Sequence, residues 1–441
     1  MTQYFCCSEQ YGHFGLSRPL SRKHGYFRFG DNTLYGRVNG QPAATPMGLS
    51  QNEAVEARII NGTVDLPFNV TEIVDNLRQE LYAQGGKNGL MSAVTAAYYL
   101  ARPILPVIVR KHLQAVRLRD WDRLPFPRWP VDRTVDDLME QLLLLMLRAQ
   151  NLGQIPFIWF WPDGASSCVL MTHDVETASG VDRCHMLMDV NDSFGIKASF
   201  QVVPEERYPV TSAFLESIRE RGFEVAVHDL NHDGRLFQNR KSFAERVAKI
   251  NAYGKKFEAR GFRSGVLYRN QAWFNLLDFQ YDMSVPNVAH LDPQRGGCCT
   301  VMPYFNGRVL ELPVTMTQDY TLFHILNHYS TDLWKQQIEL IMERHGLISA
   351  IVHPDYLTGR REIDLYESLL AHLSKLRTEK DVWVTTPDKV NSWWRQRAEM
   401  TIVESSGQLR IEGSGKERAR IAYATEKDGR IALDLQPVCA A

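Results

Sequence analysis

Two histidines behind a short apolar stretch are the residues of this 441-residue chain best suited to chemistry. His228 directly follows the apolar run 223–227, and His232 comes four positions later. In a helix or a tight turn, this spacing puts both imidazoles on one side. Two neutral imidazoles and a carboxylate form a common ligand set for a divalent first-row metal. The pattern therefore predicts a metal site whose third ligand comes from another segment.

An upstream segment offers that carboxylate, because Asp174 and Glu176 stand at the end of another strand-like run, Cys168–His173. Residues two apart leave a strand on the same face, and then diverge as the chain turns. One carboxylate can then ligate a metal while the other accepts a proton from water. The simpler interpretation is that Glu176 begins the next helix, where acidic residues are favoured.

Two further residues are candidates for proton transfer and charge support. His353 follows the buried-strand pattern 348–352 and precedes Pro354. Its ordinary pKa of about 6.5 suits a general acid, although a core histidine bonded to backbone is the alternative. Arg263 enters a glycine-bounded turn. It is a candidate for keeping Asp174 ionised and oriented, and a surface arginine is the alternative.

Acidic neighbours of the two histidines are candidates for orienting the imidazoles. Asp229 follows His228 directly, and Asp233 follows His232 directly. A ligating histidine commonly donates its second ring N–H to a carboxylate, which fixes the tautomer and the ring orientation. We therefore expect these two aspartates to contact the imidazoles.

The elements that must position these residues are short apolar runs separated by amphipathic stretches, between residues 164 and 397. This alternation predicts βα units and a parallel sheet, with the chemistry at the carboxyl ends of the strands. The predicted strands are Cys168–His173, Ile196–Val203, Phe223–His228, Leu347–His353 and Val382–Thr385. The predicted helices are Val181–Ser193, Thr211–Arg221, Phe243–Arg260, Trp334–Arg344 and Ile363–Arg377.

The two flanking regions carry no motif with chemistry. Region 1–163 is predicted to be mixed α/β, with strand-like alternation over Tyr26 to Val38. Capping patterns predict helices that start at Asn69 and Thr134. Region 398–441 is expected to be a short antiparallel β extension packed on the middle region. The chain is thus predicted to be α/β with three regions, 1–163, 164–397 and 398–441.

The ordered motifs Thr-x-Asp-x-Glu, His-x-x-x-His, Phe-Arg-Ser and His-Pro resemble those of the polysaccharide deacetylase family, carbohydrate esterase family 4. The resemblance covers residues 164–397. It implies a distorted (β/α) barrel, a divalent metal with zinc foremost, and hydrolysis of N-acetyl groups on amino sugars. By position it implies Asp174 as the base, His353 as the acid and Arg263 as the arginine that orients the base. It implies Glu176, His228 and His232 as the three metal ligands.

This chain departs from the family pattern at several positions. Val175 replaces the second of two adjacent aspartates, so the ligand is expected to be Glu176, as in an Asp-x-Asp branch of the family. Ser264 and Gly265 stand where a proline is usual. The acidic residue that tunes His353 is either Asp319 or Asp282, and Asp319 ranks first.

The resulting functional hypothesis is a metal-dependent carbohydrate N-deacetylase that acts on an amino sugar or glycan intermediate. One alternative is hydrolysis of another C–N bond, in an amide or ureide. A second is a catalytically silent relative that binds glycan or a partner protein, which the valine at position 175 motivates. Four aromatic residues are candidates for sugar-stacking platforms, although most aromatic residues of a long chain lie in cores: Trp161, Trp273, Tyr268 and Tyr304.

Composition excludes some classes of protein. With 44% hydrophobic residues, 23% charged residues and a net charge of −1, the chain is typical of globular enzymes and not of nucleic-acid binders. A basic cluster in 110–128 is expected to be a solvated helix face. Prolines and an arginine interrupt the apolar segment 90–109, which favours a buried or interfacial helix, and at most membrane-surface contact, over a membrane span.

Cysteine usage and the first residues predict the compartment. Seven cysteines without Cys-x-x-Cys spacing indicate free thiols in a reducing environment. The start of the chain lacks the basic and apolar pattern of a secretory signal. We therefore expect a cytoplasmic protein with an intracellular substrate, such as a nucleotide-linked or lipid-linked amino sugar. The oligomeric state is left open.

Overall fold

The structure is a computed structural model that describes residues 1–49, 51–84, 118 and 120–435. The apolar segment 90–109 and most of the basic cluster in 110–128 lie outside the described residues. Within the described part of the chain, no helix is both long enough and apolar enough to cross a bilayer. The cytoplasmic location and the membrane-surface contact stay predictions.

The described residues contain twenty strands and ten α-helices. The strands, β1 to β20, are Phe14–Leu16, Gly25–Phe29, Asn32–Gly36, Ala54–Val55, Arg58–Ile60, Thr63–Leu66, Ile155–Ile158, Cys168–Val175, Ser199–Val202, Glu224–His228, Gly261–Arg263, Tyr281–Asp282, Tyr304–Asn306, Val309–Glu311, Leu347–Ile351, Trp383–Thr385, Thr401–Ser405, Gln408–Glu412, Ile421–Lys427 and Arg430–Leu435. The helices, α1 to α10, are Thr2–Phe5, Val70–Arg78, Leu81–Gln84, Thr134–Gln150, Ala178–Ser193, Ser212–Glu220, Arg240–Lys256, Asp332–Met342, Arg360–Glu379 and Pro387–Glu399.

A curled sheet of nine strands is the centre of the molecule. Its order is β13-β14-β12-β11-β10-β9-β8-β15, and β16 pairs with the first residues of β8. Every pair is parallel except β13 with β14. The segment after β14 returns to β15, where the Met316 amide donates to the Ser349 carbonyl at 3.2 Å. The predicted α/β fold with a distorted (β/α) barrel is confirmed.

Burial on both faces explains why the barrel strands read as continuous apolar runs. All eight residues of β8 are buried, and so are all five residues of β15. The five strands predicted in the middle region are all present, with ends that shift by a few residues. Helices α5 and α7 each begin three residues before the predicted start, where the side chains of Thr177 and Asn239 cap the first turn.

The N-terminal region contains strands where the alternation over Tyr26 to Val38 predicts them, and β2 pairs with β3 as an antiparallel hairpin. At α2, the Asn69 side chain accepts from the Glu72 amide at 3.0 Å, but the Glu72 carboxylate binds Arg37 and does not complete a capping box. The capping prediction at Thr134 is wrong by one residue. Thr134 is already helical, and the Asp132 carboxylate accepts from its amide at 2.9 Å.

The C-terminal strands are antiparallel, as expected, and form two sets. Strand β17 pairs with β18, while β19 pairs with β20 and with β7 and so extends a sheet that residues 155–158 begin. Arg148 of α4 also forms an ion pair with Glu426 of β19. The described parts of all three regions contribute to one hydrophobic cluster. The region boundaries themselves stay predictions.

Candidate metal and acid–base site

Three side chains from the ends of neighbouring strands form a possible metal-binding group. Glu176 directly follows β8, His228 ends β10, and His232 lies in the turn after β10. One ligand atom from each lies within 4.8 Å of the others. The two imidazole ring centroids are 4.8 Å apart. Strands β8, β9 and β10 are adjacent and parallel, which brings their carboxyl ends to one edge.

A tight turn places His232 beside His228. Asp229 and His232 have positive φ angles of 57° and 52°, which non-glycine residues seldom adopt. The Asp229 carboxylate stabilises this turn by accepting from the amides of Leu230 at 2.7 Å and Gly265 at 3.2 Å. A Cβ atom on Gly265 would lie 2.5 Å from Asp229 Oδ2. A side chain at position 265 would therefore crowd this turn.

The prediction that Asp229 and Asp233 orient the imidazoles is wrong. The Asp229 carboxylate binds backbone amides, and Asp233 forms a two-pronged ion pair with Arg246 at 2.7 Å per contact. His228 Nδ1 instead lies 3.2 Å from the backbone carbonyl of Arg263. A carbonyl at this position can accept only a ring N–H, so it directs a deprotonated Nε2 toward the carboxylates.

The free nitrogen of His228 is the clearest sign of a ligand position. His228 Nε2 is buried and has no hydrogen-bond partner among the described residues. Burial lowers the pKa of His228 to about 4, so the ring is neutral, as a metal ligand must be. His232 Nε2 lies 3.1 Å from Glu176 Oε1. The donor set and its free nitrogen fit a divalent ion.

Val175 lies between the two carboxylates and points away from them. Its side chain is buried in the barrel core, because alternate residues of a strand face opposite sides. Asp174 Oδ2 lies 3.7 Å from His228 Nε2, while Glu176 reaches His232. The two carboxylates thus stay on one side of the sheet and contact different imidazoles.

Asp174 forms a buried ion pair with Arg263. Arg263 Nη1 donates to Asp174 Oδ1 at 2.6 Å and to Thr172 Oγ1 at 2.9 Å, and its Nε donates to the Met283 carbonyl at 2.9 Å. Burial alone would raise the pKa of Asp174, but the Arg263 guanidinium, together with His228 and His353, lowers it below its usual range. The surface-arginine alternative does not hold, since Arg263 is fully buried.

His353 is held by Asp319. Its Nδ1 lies 2.6 Å from Asp319 Oδ1, and its backbone amide donates to Asp319 Oδ2 at 2.7 Å. Burial opposes the charged ring, but the Asp319 carboxylate, with help from Glu176 and Asp174, raises the pKa of His353 to about 10. Nε2 faces two carboxylate oxygens, Glu176 Oε1 at 3.6 Å and Asp174 Oδ2 at 3.9 Å. The alternative tuning residue, Asp282, accepts instead from Ser284.

Asp355 is a residue of this site that sequence reasoning missed. Its Oδ2 accepts from the Glu176 amide at 3.1 Å, and its Oδ1 accepts from the Thr177 hydroxyl. It therefore supports the backbone from which Glu176 extends. The available signal was an acidic residue two positions after His353, in the run His-Pro-Asp.

The aromatic candidates for sugar stacking are mostly core residues. Trp161 and Tyr304 are buried, which excludes both as platforms. Trp273 is partly buried and packs against Phe237 and Phe243. Tyr268 is partly exposed in the loop after Arg263.

Comparison with known proteins gives similarity only at the level of solved structures. No family model matches the chain, and no curated protein matches it. A protein assigned as a polysaccharide deacetylase from Mycobacterium smegmatis is 18% identical over 54% of this chain and 93% of its own, with a TM-score of 0.42. PuuE allantoinase is 12% identical over 53% of this chain and 92% of its own, with a TM-score of 0.41.

The peptidoglycan deacetylase PdaC from Bacillus subtilis is also similar to this chain. It is 13% identical over 52% of this chain and 93% of its own, with a TM-score of 0.33.

Proposed function

We propose that this protein is a metal-dependent hydrolase of the polysaccharide deacetylase family. It removes N-acetyl groups from an amino sugar or a glycan intermediate. The observation that carries the proposal is the group of buried His228 and His232 with partly exposed Glu176, next to an arginine-paired aspartate and an aspartate-paired histidine. Two histidines and one carboxylate are a typical ligand set of catalytic zinc, so we propose zinc as the metal.

The three ligands would hold the ion through Glu176 Oε1 and one nitrogen of each imidazole. A divalent ion bound there supplies positive charge that polarises an amide carbonyl and lowers the pKa of a water molecule. Neutral His228 is ready to ligate, because its Nδ1 is already engaged by the Arg263 carbonyl. Asp355 keeps the Glu176 backbone in place.

Asp174 is proposed as the general base. Arg263 binds only its Oδ1, so Oδ2 remains available to take a proton from the attacking water. Oδ2 is also the oxygen that faces both His228 and His353. The guanidinium lowers the pKa of Asp174, which keeps it ionised and able to accept the proton.

His353 is proposed as the general acid. With Nδ1 bound to Asp319, its Nε2 carries the proton that the leaving nitrogen of the amide needs before the C–N bond breaks. Its raised pKa keeps the ring protonated at neutral pH. The two proton-transferring atoms are 3.9 Å apart, so both can reach one reacting amide that lies beside them.

Acetate release and metal analysis test this proposal together. Purified protein is dialysed against zinc, measured for bound metal, and assayed with a panel of N-acetylhexosamines and their oligomers. We expect bound zinc and acetate release, and we expect His232→Ala to lose the metal. The matched control is His185→Ala, because His185 is exposed on α5.

Each outcome separates the competing functions. Bound metal without acetate release from any N-acetyl sugar favours another amide or a ureide as the substrate. A protein with neither metal nor turnover favours a glycan-binding or partner-binding role. Metal that stays bound in His232→Ala contradicts the ligand assignment.

A further inference from the structure

Two buried acidic side chains lie side by side behind the site and have no part in the proposed proton transfers. Asp282 of β12 and Glu311 of β14 are partners in the parallel register, and both are fully buried. Asp282 is also the register partner of Phe262, which packs in the cluster that contains residues of the surrounding helices. Register partners point to the same side of a sheet, so both carboxyl groups lie on the outer face, opposite to the Arg263 side chain.

The hydrogen bonds of Ser284 make Asp282 an acceptor at both of its oxygens. Asp282 Oδ2 accepts from the Ser284 amide at 2.7 Å. The Ser284 hydroxyl accepts from the Ser264 amide at 2.8 Å, and it donates its own proton to Asp282 Oδ1 at 2.8 Å. Bonds of this kind favour the ionised form of the Asp282 carboxyl group.

Glu311 must then supply the proton that lies between the two carboxyl groups. Its Oε1 accepts from the Val285 amide at 3.0 Å, whereas no N–H or hydroxyl group of the described residues donates to its buried Oε2. The carboxyl groups of Asp282 and Glu311 are hydrogen-bonded to each other, which two ionised carboxylates cannot be. Burial and the Asp282 carboxylate raise the pKa of Glu311 well above its usual range. The proton therefore resides on Glu311, which donates it to Asp282.

The segment that this pair holds is the one that holds Arg263. Arg263 Nε donates to the Met283 carbonyl at 2.9 Å, and the amide of the next residue along the chain donates to Ser284. Two contacts continue from Arg263 into the site. Its guanidinium binds Asp174, and its carbonyl oxygen lies 3.2 Å from His228 Nδ1. A displacement of Arg263 would consequently move both the proposed base and one proposed metal ligand.

We propose that Asp282 and Glu311 share one proton and together act as a positioning pair for Arg263. Through Arg263 they fix the Asp174 carboxylate and the His228 ring. The inference rests on the proposed function and deepens it, because it gives two carboxyl groups outside the site a role in the reaction. Groups that orient metal ligands from outside typically contribute about 10–100-fold to metal affinity or activity.

Two isosteric substitutions with opposite expected results test the pair. Glu311→Gln keeps a donor for Asp282 and an acceptor for the Val285 amide, so zinc affinity and kcat should stay close to wild type. Asp282→Asn puts an N–H group against one of the Ser284 donors, so zinc affinity and kcat should each fall about tenfold. KM should not change, since Asp282 lies on the outer face. Competition with a chelator measures zinc affinity, and acetate release from N-acetylhexosamines measures kcat and KM.

Asp132→Asn is the matched control. Asp132 is also fully buried, and its two oxygens accept from the amides of Arg128 at 2.6 Å and Thr134 at 2.9 Å. This substitution should lower the melting temperature and leave zinc affinity unchanged. Infrared spectra give a readout that depends on neither metal nor turnover, because Glu311→Gln should remove a carbonyl band of a protonated carboxyl group.

Three results overturn the inference. The first is a zinc affinity of Asp282→Asn equal to that of Asp132→Asn, which would make Asp282 a structural residue only. The second is an equal loss of zinc affinity in Asp282→Asn and Glu311→Gln, and the third is an infrared spectrum that Glu311→Gln leaves unchanged. Failure of the proposed function is distinct from these, because wild-type protein then releases no acetate while the infrared spectra still decide whether the pair shares a proton.

Discussion

Two buried arginine–carboxylate pairs lie on either side of the loop that joins Arg263 to Arg269. They differ in whether the arginine leaves one carboxylate oxygen free. Arg263 contacts Asp174 through one nitrogen and one oxygen, and the second carboxylate oxygen faces His228 and His353. Arg269 contacts both oxygens of Glu80, one of which also accepts from the Gly297 amide at 2.6 Å. The arginine of each pair is fully buried.

The difference indicates two roles for the same pair of chemical groups. A carboxylate whose oxygens are all occupied connects distant segments, and Glu80 connects the N-terminal region to the loop after β11. A carboxylate with one free oxygen, at the end of a barrel strand, is able to accept a proton. Burial and charge alone do not distinguish the two pairs, whereas the number of occupied oxygens does.

The largest expected effect comes from removing the free oxygen. Asp174→Asn should lower kcat/KM for acetate release by about two to four orders of magnitude, the usual scale for a general base. The fold should be retained, since the asparagine carbonyl can still accept from Arg263. Acetate assays and thermal melts check this prediction. Near-wild-type turnover would remove Asp174 from the mechanism.

Removal of Glu80 should instead destabilise the fold. Glu80→Ala should lower the free energy of unfolding by roughly 3–5 kcal/mol, because it leaves the Arg269 charge buried without a partner. The double variant Glu80→Leu, Arg269→Met should recover part of that loss. Urea unfolding at 25 °C measures both. If Glu80→Ala unfolds like wild type, the pair has no structural role, and the comparison fails.

The pH dependence of kcat/KM tests the assignment of His353 as the general acid. Its pKa is raised to about 10, so acid catalysis should persist through neutral pH and fall as pH rises past that value, when the ring loses its proton. Asp319→Asn removes the nearest carboxylate and should shift the alkaline limb down by about one pH unit or more. The pH profile of kcat/KM measures the limb. An unshifted limb would assign it to another group.

The smallest loss of activity is expected when the turn that positions His232 is disturbed. A Cβ on Gly265 would lie 2.9 Å from His232 Cδ2, so Gly265→Ala should displace that ring and lower kcat/KM about tenfold, given the sensitivity of catalysis to small displacements. Gly153→Ala is the matched control, because a Cβ there meets no atom within 4 Å. Equal activities of the two variants would show that the site tolerates the shift.

Much of the barrel was predictable from local pattern. Strands β8 and β10 are buried apolar runs that end in Val175 and His228, and parallel strands bring such ends together whatever the loops contain. The start of the helix at Thr134 was harder to predict, because the carboxylate that caps it belongs to Asp132, two residues before the capping pattern that the sequence shows. Strand β19 was predictable as a strand, but its pairing with β7 joins distant parts of the chain.

The sequence by itself determined which side chains stand at the strand ends, and so the types of group available for chemistry: two imidazoles, two carboxylates, an arginine and a third histidine. Only the tertiary structure decided their partners. In the folded protein, Asp319 and not Asp282 lies beside His353. Asp355 accepts from the backbone amide of Glu176, and Arg269 forms an ion pair with Glu80. These pairings depend on how distant segments fold together, whereas the pattern of a strand depends on its neighbours in sequence.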